Sequence, residues 1–305
     1  MNSLLVSALI VVPGFVYGSL STCRVPLIWS AATGRPKVLI SVNNGTAEDL
    51  VDLSLLRQSM IRLRDEHATS HRLASATLES IGGCSVNVNI VAGVMNPNIH
   101  SRTSALNMHR SGPLNGVINS FMITPNNLVL NPSTTETDCT SELVEVKTME
   151  EELHDRWNVY NYISEENFQP ILLSINWGIM IRSDQFESFM AEIQQVAHGL
   201  GKRTTPIVHR RYMKIYDCDI DELDPVLPSL TYSFRTQDNT PVEIELSARE
   251  YLRPLSDNST ICIVEIHRDL GNAPLYLGAP LFRKYAVLFD YTNLSIKVCR
   301  ANVAA

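Results

Sequence analysis

The sequence predicts a mostly β protein made of two similar lobes, and three observations carry that expectation. Its apolar stretches are short, rich in Val and Ile, and separated by polar turns: PKVLISVNNG, SVNVNIVAGV, PSLTYSF, TPVEIELS, STICIVEI and KYAVLFDYTNLSIKV. Strict alternation at Val86-Asn87-Val88-Asn89-Ile90 and at Val242-Glu243-Ile244-Glu245-Leu246 marks strands with one wet face. Finally, each half runs through the same order of features: an apolar strand broken by a polar step, a helical stretch, and an apolar pair closed by glycine. The polar steps are Val42-Asn43-Asn44-Gly45-Thr46 and Leu173-Ser174-Ile175-Asn176, and the closures are Pro113-Leu114-Asn115-Gly116 and Leu275-Tyr276-Leu277-Gly278.

Taken in chain order, residues 1–20 read as a signal peptide. The apolar run Leu4 to Val16 is too short to span a bilayer and is followed by the small residues Gly18 and Ser19, although no basic residue precedes it. A buried first strand is the competing reading, weakened by Pro13 and Gly14. Residues 21–130 form the expected first lobe. Within it Ala47 to Met60, with Leu50, Leu53 and Leu56 at helical spacing, is expected to be helical. The acidic, polar stretch 131–156 is expected to connect the lobes. Residues 157–305 form the second lobe, with a helix over Ser183 to Gly199 whose Phe186, Phe189, Met190 and Ile193 share a face.

Composition excludes some partners. With 45% hydrophobic and 19% charged residues the chain is ordinary globular material, and a net charge of -7 argues against a phosphate-binding surface, so no nucleic acid is expected. No segment after residue 20 is long and apolar enough to cross a membrane, so the mature protein is expected to be soluble and secretory. The six cysteines, Cys23, Cys84, Cys139, Cys218, Cys262 and Cys299, are dispersed without a Cys-x-x-Cys pair, which fits three disulfides better than a metal site; spacing alone leaves fifteen pairings open. Sequons at Asn44, Asn258 and Asn293 suit the same oxidising compartment.

The stretch Tyr276-Leu277-Gly278-Ala279-Pro280-Leu281-Phe282-Arg283-Lys284-Tyr285-Ala286-Val287-Leu288-Phe289-Asp290 resembles the closing strands of pepsin-like aspartic proteases. Upstream, Tyr216-Asp217-Cys218, the run Leu227 to Phe234, and Ser247 to Leu252 follow that family's order, while Ser85 to Gly93 and Arg249 to Leu255 look closest to its β-secretase branch. The resemblance covers residues 34 to 300, is strong in the second lobe and faint in a shortened first lobe. It implies the bilobal pepsin-like fold, two β-barrel-like lobes with a cleft between them. It also implies disulfides Cys218–Cys262 and Cys139–Cys299, which leaves Cys23 with Cys84.

In that family each lobe supplies an aspartate at an Asp-Thr/Ser-Gly turn. Placing the turns by resemblance puts them at Asn43-Asn44-Gly45-Thr46 and at Ser174-Ile175-Asn176, and no aspartate of the chain is followed by Thr-Gly or Ser-Gly. The chemistry needs two carboxylates about 3 Å apart that share one proton, one activating water and the other polarising the scissile carbonyl. Asn43 has no titratable group, and Ser174 has a hydroxyl with no base beside it in sequence.

The expected protein is therefore a secreted, inactive member that binds a peptide or protein in its cleft through Asn44, Gly45, Thr46, Asp65, Ile175 and Asn176, with glycans at Asn258 and Asn293, and without cofactor or metal. Three readings compete with it. One is an active aspartic endopeptidase with an unrecognised or shared aspartate, and another is a structural or storage protein. A serine nucleophile at Ser174 is the third, and no Gly-x-Ser-x-Gly elbow surrounds it. The family's flap, placed at Arg62 to Leu73, would lack its aromatic tip; His67 and His71, four apart in the same stretch, have no third metal ligand nearby.

Overall fold

A computed structural model describes residues 22–30, 34, 36–42, 45–49, 51–54, 60–64, 72–79, 85–93, 120–132, 138–148, 157–164, 167–173, 175, 178–207, 212–256, 259–269, 275–290, 293 and 295–302. Residues 1–20, expected as a leader, lie outside this set. The amino-terminal half contributes β1 (Cys23–Pro26), β2 (Ile28–Trp29), β3 (Pro36–Val42), β4 (Gly45–Asp49), β5 (Val51–Ser54), β6 (Met60–Arg64), β7 (Arg72–Glu79), β8 (Ser85–Gly93), β9 (Ser120–Ile123) and β10 (Asn127–Leu130). Among the described residues, one sheet runs β2-β3-β7-β8-β6-β5, with β4 paired to β3.

Two expectations for this half are corrected. The described residues of Ala47 to Met60 are strand instead of helix: they supply most of β4, all of β5 and the first residue of β6. The leucines spaced three apart hid a second pattern, since Val51-Asp52-Leu53-Ser54 alternates apolar and polar with a period of two, and Gly45 closes a hairpin that draws residues 45–49 onto β3. The described ends of Arg62 to Leu73, in β6 and β7, do not pair with each other either. β6 lies parallel to β8, and β8 separates it from β7, so residues 65–71 connect strands that are not neighbours; the antiparallel hairpin of this sheet is β7–β8.

The remaining strands are β11 (Val144–Val146), β12 (Asn158–Ser164), β13 (Asn167–Leu173), β14 (Ile179–Ile181), β15 (Thr204–Ile207), β16 (Tyr212–Ile215), β17 (Leu230–Arg235), β18 (Pro241–Leu246), β19 (Leu252–Pro254), β20 (Cys262–Val264), β21 (Ile266–Arg268), β22 (Leu275–Leu277), β23 (Tyr285–Asp290) and β24 (Ser295–Arg300). Among the described residues the helices are α1 (Ser183–Gly199), α2 (Ile220–Leu223), α3 (Ala248–Tyr251) and α4 (Ala279–Lys284). α1 buries Phe186, Met190, Ile193 and Ala197, and partly buried Phe189 meets Tyr251 edge-on at 5.9 Å. It ends where Gly201 takes φ of 73°, a conformation open to glycine, while the Gly201 and Lys202 amides bond to the His198 and Ala197 carbonyls.

One six-stranded sheet, β1-β10-β9-β23-β24-β11, draws on both chain ends and on the segment expected to connect the lobes, so that segment carries a strand. Its inner face holds Phe289, with Phe121 stacked at 4.9 Å and Trp157 tilted at 5.3 Å. Trp157 and Phe289 are both 0% exposed, and burying side chains of this size is worth roughly 1.5–3 kcal/mol or more each. Arg24 grips Asp138 with two bonds of 2.7 and 2.8 Å beside the Cys139–Cys299 disulfide, which ties β24 to the chain just ahead of β11. The second disulfide, Cys218–Cys262, fixes the turn after β16 to β20. Cys23 is disulfide-bonded as well, to a partner outside the described residues.

Candidate functional site

The second-lobe site starts from an apolar strand. Ile171, Leu172 and Leu173 end β13, all buried, and β13 runs parallel to β22 with Ile171 opposite Leu275 and Leu173 opposite Leu277. Buried on both faces, such a parallel pair reads in sequence as a continuous aliphatic run. After Leu173 the chain crosses residues 174–178 and enters β14, which runs parallel to β21 with Ile179 opposite Ile266. The link is thus held at both ends by parallel ladders.

Within the link, Ile175 is 0% exposed and belongs to the main core cluster. Its side chain is thus part of the core, where the sequence suggests a binding surface. Gly178 has no alternative: a Cβ there would sit 2.4 Å from the Glu265 carbonyl oxygen and 2.8 Å from His267 Nε2. The next amide, Ile179 N–H, donates to that same carbonyl at 2.8 Å. Ser174 and Asn176 lie outside the described residues.

The groups backing Gly178 are ionisable. Burial pushes the His267 imidazole down to about 4, with the nearby Glu265 charge opposing the shift, so this histidine is neutral at neutral pH. Glu265, on the bend between β20 and β21, is 7% exposed and carries an ion pair on each oxygen: Arg253 Nε at 2.6 Å and Arg283 Nη2 at 2.7 Å. A buried carboxylate is tolerable because both of its oxygens are matched.

In the first lobe, topology separates two places that look alike in sequence. β3 and β4 pair up to Val42 opposite Gly45, so residues 43–44 join two strands of a hairpin, and Gly45 and Thr46 open β4, with Thr46 opposite Ser41. Asn43, Asn44 and Asp65 lie outside the described residues, as do His67 and His71. The element that stands ahead of the parallel ladder β6–β8, as β13 stands ahead of β14–β21, is β5. The links 55–59 and 174–178 have the same length. In strand order the first-lobe link that matches 174–178 is 55–59, after β5, whereas residues 43–44 fall between β3 and β4. Asp52 lies in β5, in register with Arg62 of β6. The signal for this was present as Leu50-Val51-Asp52, an apolar pair followed by an acid, but it lacks the Thr-Gly or Ser-Gly that a motif search requires.

Of the sequons, Asn293 is on the β23–β24 turn, where its side-chain amide donates to Asp290 Oδ2 at 2.7 Å; Asn258 lies outside the described residues.

No family model and no curated protein matches this sequence. Among solved structures, the crystal structure of the aspartic proteinase from Irpex lacteus matches with a TM-score of 0.60 at 12% identity, over 92% of this chain and 98% of that one. Identity that low shows the fold alone: this chain has the mostly β, bilobal fold of pepsin-like aspartic proteases.

Proposed function

We propose that a chain with this fold, and without the carboxylate pair that aspartic proteolysis requires, works as a secreted, catalytically inactive binding protein that takes a peptide or protein segment between its lobes. One observation carries the reading. The links that occupy equivalent places in strand order read Leu55-Leu56-Arg57-Gln58-Ser59 and Ser174-Ile175-Asn176-Trp177-Gly178, and neither contains an acid. A single carboxylate cannot share a proton with a partner that is absent, and loss of a positioned general base alone costs about 100- to 10,000-fold in rate. Kinship closest to the β-secretase branch, a cleaved leader over residues 1–20 and glycans at Asn258 and Asn293 belong to the same proposal; the disulfides are compatible with a secretory compartment. Purified full-length protein, incubated with diverse peptide libraries between pH 3 and 7, is expected to bind without cleaving. Cleavage that pepstatin suppresses would overturn the proposal.

Asp52 supports the competing reading of an active endopeptidase with a shared acid. It is the acidic residue of β5, which leads into the first-lobe link, so a second chain supplying the other carboxylate would make it half of a dyad. Activity that rises with the square of protein concentration and disappears in Asp52→Asn would establish that alternative.

A further inference from the structure

The Glu265 cluster joins parts of the chain that the proposed binding role does not use. Arg283, on α4, divides its guanidinium among several partners. Nη1 donates to the Glu250 carbonyl at 2.6 Å, and Nη2 reaches both Glu265 Oε2 at 2.7 Å and the Gly34 carbonyl at 3.3 Å. Its guanidinium carbon also lies 5.4 Å from the centre of the Trp29 ring, whose Nε1–H donates to the Pro125 carbonyl at 2.5 Å. Gly34 is seated so closely that a Cβ would fall within 2.6 Å of Arg253 Cδ and closer still to Glu265 Oε1; its φ is 67° and its amide donates to the Ser30 carbonyl at 2.7 Å. Trp29 ends β2 and Gly34 precedes β3, so these contacts fall on the entry to the amino-terminal sheet.

Glu265 meets that entry with its side chain. Its backbone carbonyl meanwhile accepts from Ile179 N–H, at the end of link 174–178. We infer that the Arg253–Glu265–Arg283 cluster is an inter-lobe latch, in which one residue couples the seating of Trp29 and Gly34 on the second lobe to the backbone at Gly178 and Ile179, the described end of link 174–178. Nothing in the inference depends on whether the protein binds peptides or cleaves them. A buried ion-paired triad is a poor source of net stability, since apolar replacements of the same volume are often equal or better, whereas removing one member leaves an uncompensated charge. What the triad supplies is directionality, with two planar guanidinium forks accepting one arrangement of Glu265, Gly34 and the Glu250 carbonyl.

Hydrogen exchange measured by mass spectrometry on the full-length protein tests the latch. In Glu265→Gln one oxygen becomes an amide that cannot accept from a guanidinium. Exchange at the Gly34 and Ile179 amides is expected to accelerate together, by about tenfold or more, while the α1 amides keep their wild-type rates. Trp29→Leu, which keeps all three members of the triad and strips only their first-lobe cover, is expected to accelerate Gly34 and Ile179 together without changing α1, and a response at Gly34 with none at Ile179 would overturn the inference here too. If Glu265→Gln does not fold, Trp29→Leu carries the test. Unchanged exchange at Gly34 in the folded variants, or acceleration spread equally over α1, would overturn the inference, as would a response at Gly34 in Glu265→Gln with none at Ile179.

Discussion

Acidification should destabilise this protein through one imidazole. His267 is held neutral, pushed down to about 4 by burial beside Gly178, against an ordinary value near 6.5. Between those two values the unfolded chain binds a proton at this position and the folded chain does not, so stability rises with pH across the window and falls as pH drops through it. At pH 5, about 1.5 units below the unfolded value, the contribution lost is about 2 kcal/mol, from roughly 1.36 kcal/mol per pH unit. This is a ceiling, because the imidazole is only partly buried and retained hydration softens the penalty. The assay is urea unfolding of wild type and His267→Gln at pH 8, 6.5 and 5. The difference between the two proteins isolates the imidazole from every carboxylate that titrates over the same range. Wild type should lose up to ~2 kcal/mol more than the variant between pH 8 and 5, with no divergence above about pH 7. Parallel pH profiles, or wild type gaining on the variant as pH falls, would refute the reasoning.

Other perturbations reach different links in the argument. Replacing Cys218 and Cys262 together by serine opens a bridge with a sequence separation of 44 and should cost about 4 kcal/mol, read as a lower urea midpoint; an unchanged midpoint would count against it. Tyr251→Phe removes a hydroxyl that donates to the Pro228 carbonyl at 2.7 Å from a side chain that is 0% exposed, and should cost about 1–2 kcal/mol in the same assay. Ser247→Ala removes the hydroxyl at the α3 N-cap, which lies 2.6 Å from Asp224 Oδ1 and 3.0 Å from Glu250 Oε2, and should cost about 1 kcal/mol, recovered in part by threonine. Asn43→Asp combined with Ser174→Asp should yield no pepstatin-sensitive peptidase, because residue 43 joins β3 to β4 instead of following β5; robust cleavage by that variant would restore the sequence-based placement.

What could be read in the chain depended on the range of the interaction. α1 and β18 announce themselves by local periodicity, and both form where the pattern places them. β4 and β5 do not, because Leu50, Leu53 and Leu56 fit a helical spacing while the strand period sits in only four residues. Parallel pairing was out of reach: β13 and β22 are adjacent although about a hundred residues separate them, and no local pattern encodes that register. The same limit hid the Glu265 cluster, whose members come from positions 29, 34, 253, 265 and 283. For the candidate site, the aliphatic strand β13 that leads into link 174–178 could be read from its local pattern. In the first lobe two links, 43–44 and 55–59, compete for the equivalent place, and only strand order distinguishes them.

The sheet that takes strands from both ends of the chain has a consequence for biosynthesis. β9 and β10 leave the ribosome well before the neighbour of β9, β23, and β24 beyond it, which are made about 160 residues later. Until β23 has been made, β9 presents an unpaired hydrogen-bonding edge with buried-type residues such as Phe121 and Ile123 alongside it. Closure across so long a loop makes folding slow and leaves the nascent amino-terminal half without its base. A chain that ends ahead of Tyr285 would keep β9 and β10 yet carry that edge permanently, so premature termination should produce material that aggregates or is held by chaperones, however intact its amino-terminal half.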